Sequence, residues 1–99
     1  MVTKVKINKK AAQRINLIAE YLESEFSFNA AEKFVDNTYE TIEKIQKHPT
    51  RGRKVASSKT VRFVPIDKHR ILFYRVKSAT LIVVDLFDTR QNPSKRPFL

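Results

Sequence analysis

The spacing of apolar residues changes near the middle of this chain, and that change constrains the fold more than any other feature. Between Asn8 and Pro49, apolar side chains recur every three or four residues, as they do in amphipathic helices. After about residue 60 they alternate with polar side chains, as they do in strands that bury one face. Because proline cannot continue a helix, Pro49 marks the boundary. The sequence therefore predicts a helical half followed by a sheet half.

Two helices are predicted in the first half. The first covers about residues 9–25 and follows Asn8, which can cap its N-terminus; the second covers about residues 28–47 and follows Ser27. The two apolar stripes consist of Ala11, Ile15, Ile18, Leu22 and Phe26, and of Ala31, Phe34, Val35, Thr38, Ile42 and Ile45. Since only a few residues around Ser27 join the helices, we expect an antiparallel hairpin.

Four strands are predicted, one before the helices and three after them. They are residues 2–7, 60–66, 70–77 and 80–88. The last is nearly continuous in apolar residues, which is typical of a central or covered strand. The predicted fold is α+β, in the order β-α-α-β-β-β, with the helical hairpin packed on one face of a small antiparallel sheet. We expect the first strand to pair with a later one, the other sheet face to be open, and residues 1–99 to form a single domain.

Charge is divided unequally between the two halves. Residues 1–43 hold 6 Lys/Arg against 7 acidic residues, whereas residues 44–99 hold 14 Lys/Arg against 3, within a net charge of +10. A cationic sheet beside a near-neutral helical half predicts a polyanionic partner, which is RNA, DNA or an acidic protein. The residues predicted to contact phosphates or partner carboxylates are Arg51, Arg53, Lys54 and Lys59 in the predicted loop, and Lys95 in the tail.

Composition excludes several kinds of chemistry. The absence of cysteine excludes disulfides and thiol catalysis, and it suits a reducing, cytoplasmic setting. The single glycine excludes glycine-rich phosphate loops. No histidine pair has metal-ligand spacing, so neither a metal nor another cofactor is expected. The longest apolar run, residues 81–84, is far too short to span a bilayer, so we expect no membrane partner.

Several short motifs occur in a recognisable order. They are Tyr21-Leu-Glu-Ser-Glu at the end of the first helix, Ser27 with Ala30-Ala31 and Phe34, Pro49-Thr-Arg-Gly52, Val61-Arg62, the strand His69-Arg-Ile-Leu-Phe-Tyr-Arg-Val76, and Leu86-Phe-Asp-Thr-Arg90. In this order, and over nearly its whole length, the chain resembles the RelE/ParE superfamily of toxins from bacterial type II toxin–antitoxin systems. The resemblance implies a helical hairpin against a small antiparallel sheet.

The resemblance also implies a partner and two alternative targets. Such toxins arrest growth when free and are neutralised by a cognate antitoxin, here expected to be acidic and to form a hetero-oligomer with the toxin. RelE-like members are metal-independent endoribonucleases that cleave mRNA at the ribosome. ParE-like members inhibit DNA gyrase. A third interpretation, from another functional class, is a non-toxic basic module that binds RNA or protein.

The catalytic residues implied by the RelE-like members are Arg62, Arg70 and Arg90. RNA cleavage needs a base for the 2′-hydroxyl, positive charge near the phosphorane and an acid for the leaving oxygen, and clustered cations supply the first two. No Tyr or His follows Arg90, which departs from the RelE pattern, and the long first helix favours ParE. Strong basicity and the three arginines favour the nuclease. Alternatively, Arg70 and Arg90 form a salt-bridged strand end with Asp88 or Asp85.

Overall fold

The computed structural model describes residues 2–91 and 93–98, and it confirms the predicted α+β fold. Two helices pack against one face of a five-stranded sheet. The elements are β1 (Lys4–Ile7), α1 (Lys9–Glu25), α2 (Phe28–Lys47), β2 (Arg53–Lys54), β3 (Arg62–Pro65), β4 (Arg70–Lys77) and β5 (Thr80–Asp88), followed by a 3₁₀ turn (Pro93–Lys95). The short strand β2 lies where the sequence predicted only loop.

Both helices begin at the predicted caps. The Asn8 side chain accepts a hydrogen bond from the Ala11 N–H at 2.9 Å, and the Ser27 hydroxyl accepts one from the Ala30 N–H at 3.0 Å. Each bond satisfies a backbone donor that has no partner inside the first turn. Two residues, Phe26 and Ser27, separate the helices, which form the expected hairpin.

The sheet has the order β1-β5-β4-β3-β2. Strands β2 to β5 pair antiparallel, as predicted, whereas β1 pairs parallel to β5, with Lys4 opposite Thr80. The sheet is therefore mixed. The long connection from β1 to β5 permits the parallel pairing, because no tight turn joins the two strands. Strand β5 has a neighbouring strand on each side, as expected for a central strand, and its side chains pack into core clusters on both faces of the sheet, which explains its continuous apolar sequence.

The main core lies between the helices and the sheet. Its buried residues from the helices include Ala11, Ile15, Leu22, Phe34 and Ile45, and those from the sheet include Val64, Leu72, Tyr74, Leu81 and Leu86. The predicted helical stripes thus form the helical side of this core, except that Phe26, predicted to continue the first stripe, is exposed because it lies beyond the end of α1. In the described part of the chain, no helix is long and apolar enough to cross a membrane.

The opposite sheet face is covered in part, so the prediction of an open face is wrong there. A second cluster joins Ile71, Phe73 and Phe87 of the sheet to Val55 and Val61 of the β2–β3 connection. The connection folds back because the Val55 N–H donates to the Val61 carbonyl at 3.1 Å. The Phe98 ring also packs there, with its centroid 5.3 Å from that of Phe73. Apolar residues in segments predicted as loop and tail cover this face.

Candidate functional site

The end of β5, the start of β4 and the outer side of α1 enclose a cleft of about 490 Å³, which we call the arginine cleft. Its lining consists of Arg14, Leu17, Ile18, Tyr21, Arg70, Asp88, Arg90 and Gln91. Strand register places Arg70 directly opposite Asp88, and Arg90 follows two residues later. The structure therefore brings together two of the three arginines that the sequence proposed as catalytic.

Arg70 is buried at the base of this cleft. One guanidinium nitrogen, Nη1, donates to Oδ2 of Asp67 at 3.1 Å, while Nη2 lies 3.9 Å from Oδ2 of Asp88. The guanidinium also lies over the Phe34 ring, 5.3 Å from its centroid, in a cation–π contact with α2. Arg70 therefore connects the sheet to the helical hairpin.

Arg90 is half-exposed and forms a two-point ion pair with Asp88. Its Nε and Nη2 donate to the two carboxylate oxygens at 3.0 Å and 2.7 Å, and its backbone N–H donates to Oδ1 at 2.9 Å. These charge-assisted bonds hold the pKa of Asp88 below its ordinary value and raise the pKa of Arg90. The salt-bridged strand end that the sequence offered as an alternative is thus present, with Asp88 as the partner.

Asp85, the other carboxylate considered, pairs with α1 instead. Its side chain is only 2 % exposed and lies 3.4 Å from both Lys10 Nζ and Arg14 Nε, while Oδ1 accepts the Leu86 N–H at 2.8 Å. Burying a carboxylate is unfavourable unless cations and donors surround it, and two cations of α1 do so here. Asp85 therefore ties β5 to the start of α1 and orients Arg14 at the cleft.

Arg62, the third arginine proposed as catalytic, lies apart from this group. It is opposite Tyr74 in the β3–β4 register, four residues along β4 from Arg70, which corresponds to about 13 Å. Its Nη1 donates to the Gly52 carbonyl at 2.7 Å and to the Thr50 carbonyl at 3.2 Å. Arg62 therefore holds the connection between α2 and β2 in place through hydrogen bonds to its backbone carbonyls.

The same connection is fixed by a tyrosine that the sequence analysis missed. The Tyr74 hydroxyl donates to the Pro49 carbonyl at 2.6 Å and accepts from the Gly52 N–H at 3.0 Å. Its burial raises the pKa of the phenol, although the Gly52 N–H and the charge of Arg62 oppose that rise. The Pro-x-x-Gly motif could have indicated this contact, because a lone glycine after a helix often marks a place where another group approaches the backbone closely.

A second cleft, of about 550 Å³, lies between the C-terminal half of α2 and the edge of the sheet at β2 and β3, and we call it the α2–β3 groove. Its lining is Thr41, Lys44, Ile45, Arg51, Arg53, Phe63, Val64, Pro65, Ile66 and Ile71. Of the cations predicted to contact a partner, this groove collects Arg51 and Arg53. Lys54, Lys59 and Lys95 are exposed and line neither cleft.

A sequence-family model matches most of this chain. Residues 5–93 match the family model described as the ParE toxin of the type II toxin–antitoxin system parDE. This chain belongs to the ParE toxin family. The RelE/ParE superfamily resemblance inferred from the ordered motifs is therefore confirmed. No curated protein sequence matches the chain.

Two solved structures share the ParE-family fold at low sequence identity. The chromosomal ParDE toxin–antitoxin system from P. aeruginosa superposes with a TM-score of 0.75 at 18 % identity, over 88 % of this chain and 96 % of that one. The YoeB dimer from Staphylococcus aureus superposes with a TM-score of 0.59 at 13 % identity, over 86 % of this chain and 94 % of that one. Both matches support the architecture of two helices on a small sheet.

Proposed function

We propose that this ParE-family toxin arrests growth by binding DNA gyrase, with no chemical step of its own, and that an acidic antitoxin neutralises it. The observation that supports a binding mechanism is the charge balance in the arginine cleft. Asp88 engages both Arg70 and Arg90, and Asp67 engages Arg70 as well. The cations that would have to stabilise a reacting phosphate are already paired with carboxylates.

This pairing disfavours ribonuclease chemistry for two reasons. A phosphorane is stabilised by positive charge that interacts with it more strongly in the transition state than in the ground state. The Arg90 guanidinium is already bound to both carboxylate oxygens of Asp88, so its charge is not available for this interaction. Asp88 would also repel an approaching phosphate, since its lowered pKa keeps it ionised at neutral pH. Arg62 is too distant to contribute. The described lining of the cleft contains no histidine to act as base or acid.

One observation favours the second candidate, mRNA cleavage at the ribosome. Tyr21 lines the same cleft as Arg14, Arg70 and Arg90, and its phenol interacts electrostatically with Arg90. A tyrosine beside cations is a reasonable acid or base for phosphodiester cleavage. The two mechanisms therefore differ in their need for the Tyr21 hydroxyl, and that difference gives a direct test.

The test compares the native chain with Tyr21→Phe after induction without antitoxin. We expect thymidine incorporation to fall before methionine incorporation, and Tyr21→Phe to inhibit gyrase supercoiling within about twofold of the native chain, because the ring remains. Early loss of methionine incorporation that Tyr21→Phe abolishes would establish the nuclease instead. Unchanged growth with the folded native chain would leave the non-toxic binding module as the explanation.

The antitoxin part of the proposal rests on charge. A chain of net charge +10 whose acidic side chains are concentrated on the helices presents a cationic sheet end to a partner. An acidic partner gains both steering and affinity from such a surface. We expect the complex to weaken steeply between low and high salt concentration. Binding that is unaffected by 1 M NaCl would contradict this electrostatic part.

A further inference from the structure

Large apolar side chains that the fold leaves in water lie along one side of the arginine cleft. Leu17 and Tyr21, one turn apart on α1, line the cleft and are 62 % and 53 % exposed. Single exposed apolar residues are ordinary in folded proteins, whereas a contiguous group beside a cleft often marks an interaction site. The α1 side of this cleft is therefore a candidate surface for contact with another molecule.

Phe26 extends the group beyond the end of α1. Its ring is 67 % exposed and meets the Tyr21 ring edge-on, with the centroids 6.3 Å apart and the ring planes at 73°. A neighbouring cleft of about 370 Å³, which Phe26 helps to line, shares Arg70 and Arg90 with the arginine cleft. Leu17, Tyr21 and Phe26 thus form one surface, which we call the apolar rim.

The charge beside the apolar rim is balanced by ion pairs. Arg14, Arg70 and Arg90 lie 3.4, 3.1 and 2.7 Å from a carboxylate oxygen. Although the chain has a net charge of +10, these three arginines are largely neutralised, so neither a nucleic acid nor an acidic protein gains much attraction from them. An uncharged apolar surface, by contrast, covers the rim without meeting an unpaired arginine.

The exposed rings also suit base stacking, but the cations of the arginine cleft disfavour that alternative. Proteins that hold single strands combine stacked rings with a groove whose cations contact the phosphates. Here the ionised Asp88 lines the cleft together with its arginines. Lys33 and Lys68, which have no carboxylate partner among the described residues, line only the neighbouring cleft. The observations therefore favour a protein surface, and nucleic acid becomes an outcome of the test.

Composition and rigidity both suit a protein interface. Tyrosine and arginine contribute much of the binding energy at such interfaces, and aromatic residues are enriched there. The rim side chains lie on α1 or directly after it, and Arg90 is held by three hydrogen bonds to Asp88. Because this surface is already ordered, it loses little conformational freedom on binding.

We propose that the apolar rim is the surface that binds DNA gyrase, through an uncharged apolar segment of that enzyme packed over Leu17, Tyr21 and Phe26. The inference rests on the proposed function and adds a location to it, on the outer side of α1 where charge is balanced. The unpaired cations of the sheet half have no direct part in this contact.

The test measures binding of the purified chain to immobilised DNA gyrase without DNA, by surface plasmon resonance. The rim variant is Leu17→Ser/Tyr21→Ser. The control is Phe28→Ser/Tyr39→Ser, which removes two side chains of similar exposure, 62 % and 49 %, from α2 and outside the arginine cleft. Circular dichroism and the melting temperature verify that each variant folds. Tyr21→Phe, which keeps the ring, is the conservative variant.

We expect the rim variant to lose about tenfold or more in affinity, while the control stays within about threefold and Tyr21→Phe within about twofold of the native chain. Because ions do not screen apolar contacts, the ratio of native to rim-variant affinity should persist from about 50 to about 300 mM NaCl. Equal losses in the rim variant and the control, or a ratio that vanishes at the higher salt concentration, would overturn the proposal.

Hydrogen exchange followed by mass spectrometry locates the contact in the complex. We expect gyrase to slow exchange in residues 14–26 and 88–91 more than in residues 51–65. Slowed exchange confined to the sheet half would place the bound enzyme elsewhere and contradict the assignment.

Two further measurements address other occupants of the rim. Lys33→Gln/Lys68→Gln should bind gyrase within about threefold of the native chain, because these lysines lie outside the contact. Binding that requires DNA and is lost in this variant would assign the surface to nucleic acid instead. Light scattering should show the free chain in the same oligomeric state as the rim variant. A dimer that only the rim variant dissociates would assign the rim to a second copy of this chain.

Failure of this inference and failure of the proposed function give different results. If the native chain neither binds gyrase nor inhibits supercoiling, the proposed function is wrong and the rim assignment falls with it. If the native chain binds and inhibits gyrase while the rim variant does so equally well, only the location is wrong.

Discussion

At the scale of single residues, the close contact between Gly52 and Tyr74 explains why residue 52 is a glycine. A Cβ atom built on Gly52 would lie 2.6 Å from the Tyr74 hydroxyl oxygen and 2.8 Å from the ring. Glycine is needed at this position because any side chain would displace the buried phenol.

Gly52→Ala should lower the free energy of unfolding by about 1–3 kcal/mol, because the added methyl group has to push the Tyr74 ring or the loop aside. Urea denaturation of the purified chain measures the change. Ser57→Ala, an exposed change in the next connection, between β2 and β3, serves as the control and should leave the midpoint nearly unchanged. Matching midpoints for the two variants would show that the loop accommodates a methyl group freely.

The raised pKa of Tyr74 predicts a loss of stability in alkali. Because the folded state favours the protonated phenol, this contribution is fully present below pH 10, the ordinary value, and is lost as the pH rises through the folded pKa. Tyr74→Phe should be less stable at pH 7, having lost two hydrogen bonds, but its stability should fall less between pH 9 and 11. Parallel pH profiles for both chains would contradict this assignment.

The contribution of Asp88 to stability should depend on pH in the opposite direction. Its pKa is lowered chiefly by the hydrogen bond from Arg90, so its contribution is present above the ordinary value of 3.8 and is lost as the pH falls through the lower folded pKa. Asp88→Asn should lower stability at pH 7 and should flatten the decline between pH 5 and 2. Asp36→Asn, an exposed carboxylate on α2, is the control and should change neither.

At the scale of elements, the hairpin depends on its caps as well as on its apolar stripes. Two residues, Phe26 and Ser27, separate α1 from α2, so the cap at Ser27 fixes where the chain reverses. At the C-terminus of α2, Lys44 and Lys47 lie in the last turn, where cations interact favourably with the helix dipole.

Ser27→Ala should destabilise the chain by about 1 kcal/mol, because the Ala30 N–H loses its acceptor. Thermal unfolding followed by circular dichroism measures the effect. The control is Ser24→Ala, at an exposed position inside α1, where alanine is the better helix former and stability should stay equal or rise slightly. An equal response at both positions would mean that the cap contributes nothing specific.

At the scale of the whole molecule, the charged side chains divide into those that form ion pairs and those that do not. Carboxylates of the sheet half, namely Asp67, Asp85 and Asp88, all engage cations in the described structure. Among the described residues, many other cations of that half form no ion pair with a carboxylate, so the folded chain repels itself while remaining attractive to anions.

Moderate salt should therefore stabilise the free protein. Raising NaCl from 10 to 200 mM shortens the Debye length from about 30 Å to below 10 Å and screens the repulsion among unpaired cations. We expect an increase in the melting temperature measured by calorimetry. A lower melting temperature at 200 mM NaCl would mean that the ion pairs around Asp67, Asp85 and Asp88 stabilise the fold by more than the repulsion among unpaired cations destabilises it.

The sequence by itself determined both helices and four of the five described strands. Helix boundaries, caps and strand positions follow from local rules, because residues a few positions apart decide period, capping and the stop at Pro49. The ordered motifs also indicated the superfamily. The resemblance named Arg70 and Arg90, and the antiparallel pairing of β4 with β5 brings them to the same end of the sheet.

Only the tertiary structure decided which charges are neutralised and which surfaces are covered. Arg62 clamps a loop, Asp85 pairs with α1, and Phe98 packs on the sheet face that the sequence predicted to be open. Each of these contacts joins residues far apart in the chain. Their partners depend on which strands pair and on how the helices and the tail pack on the sheet, and these are decided by residues distant in sequence acting together.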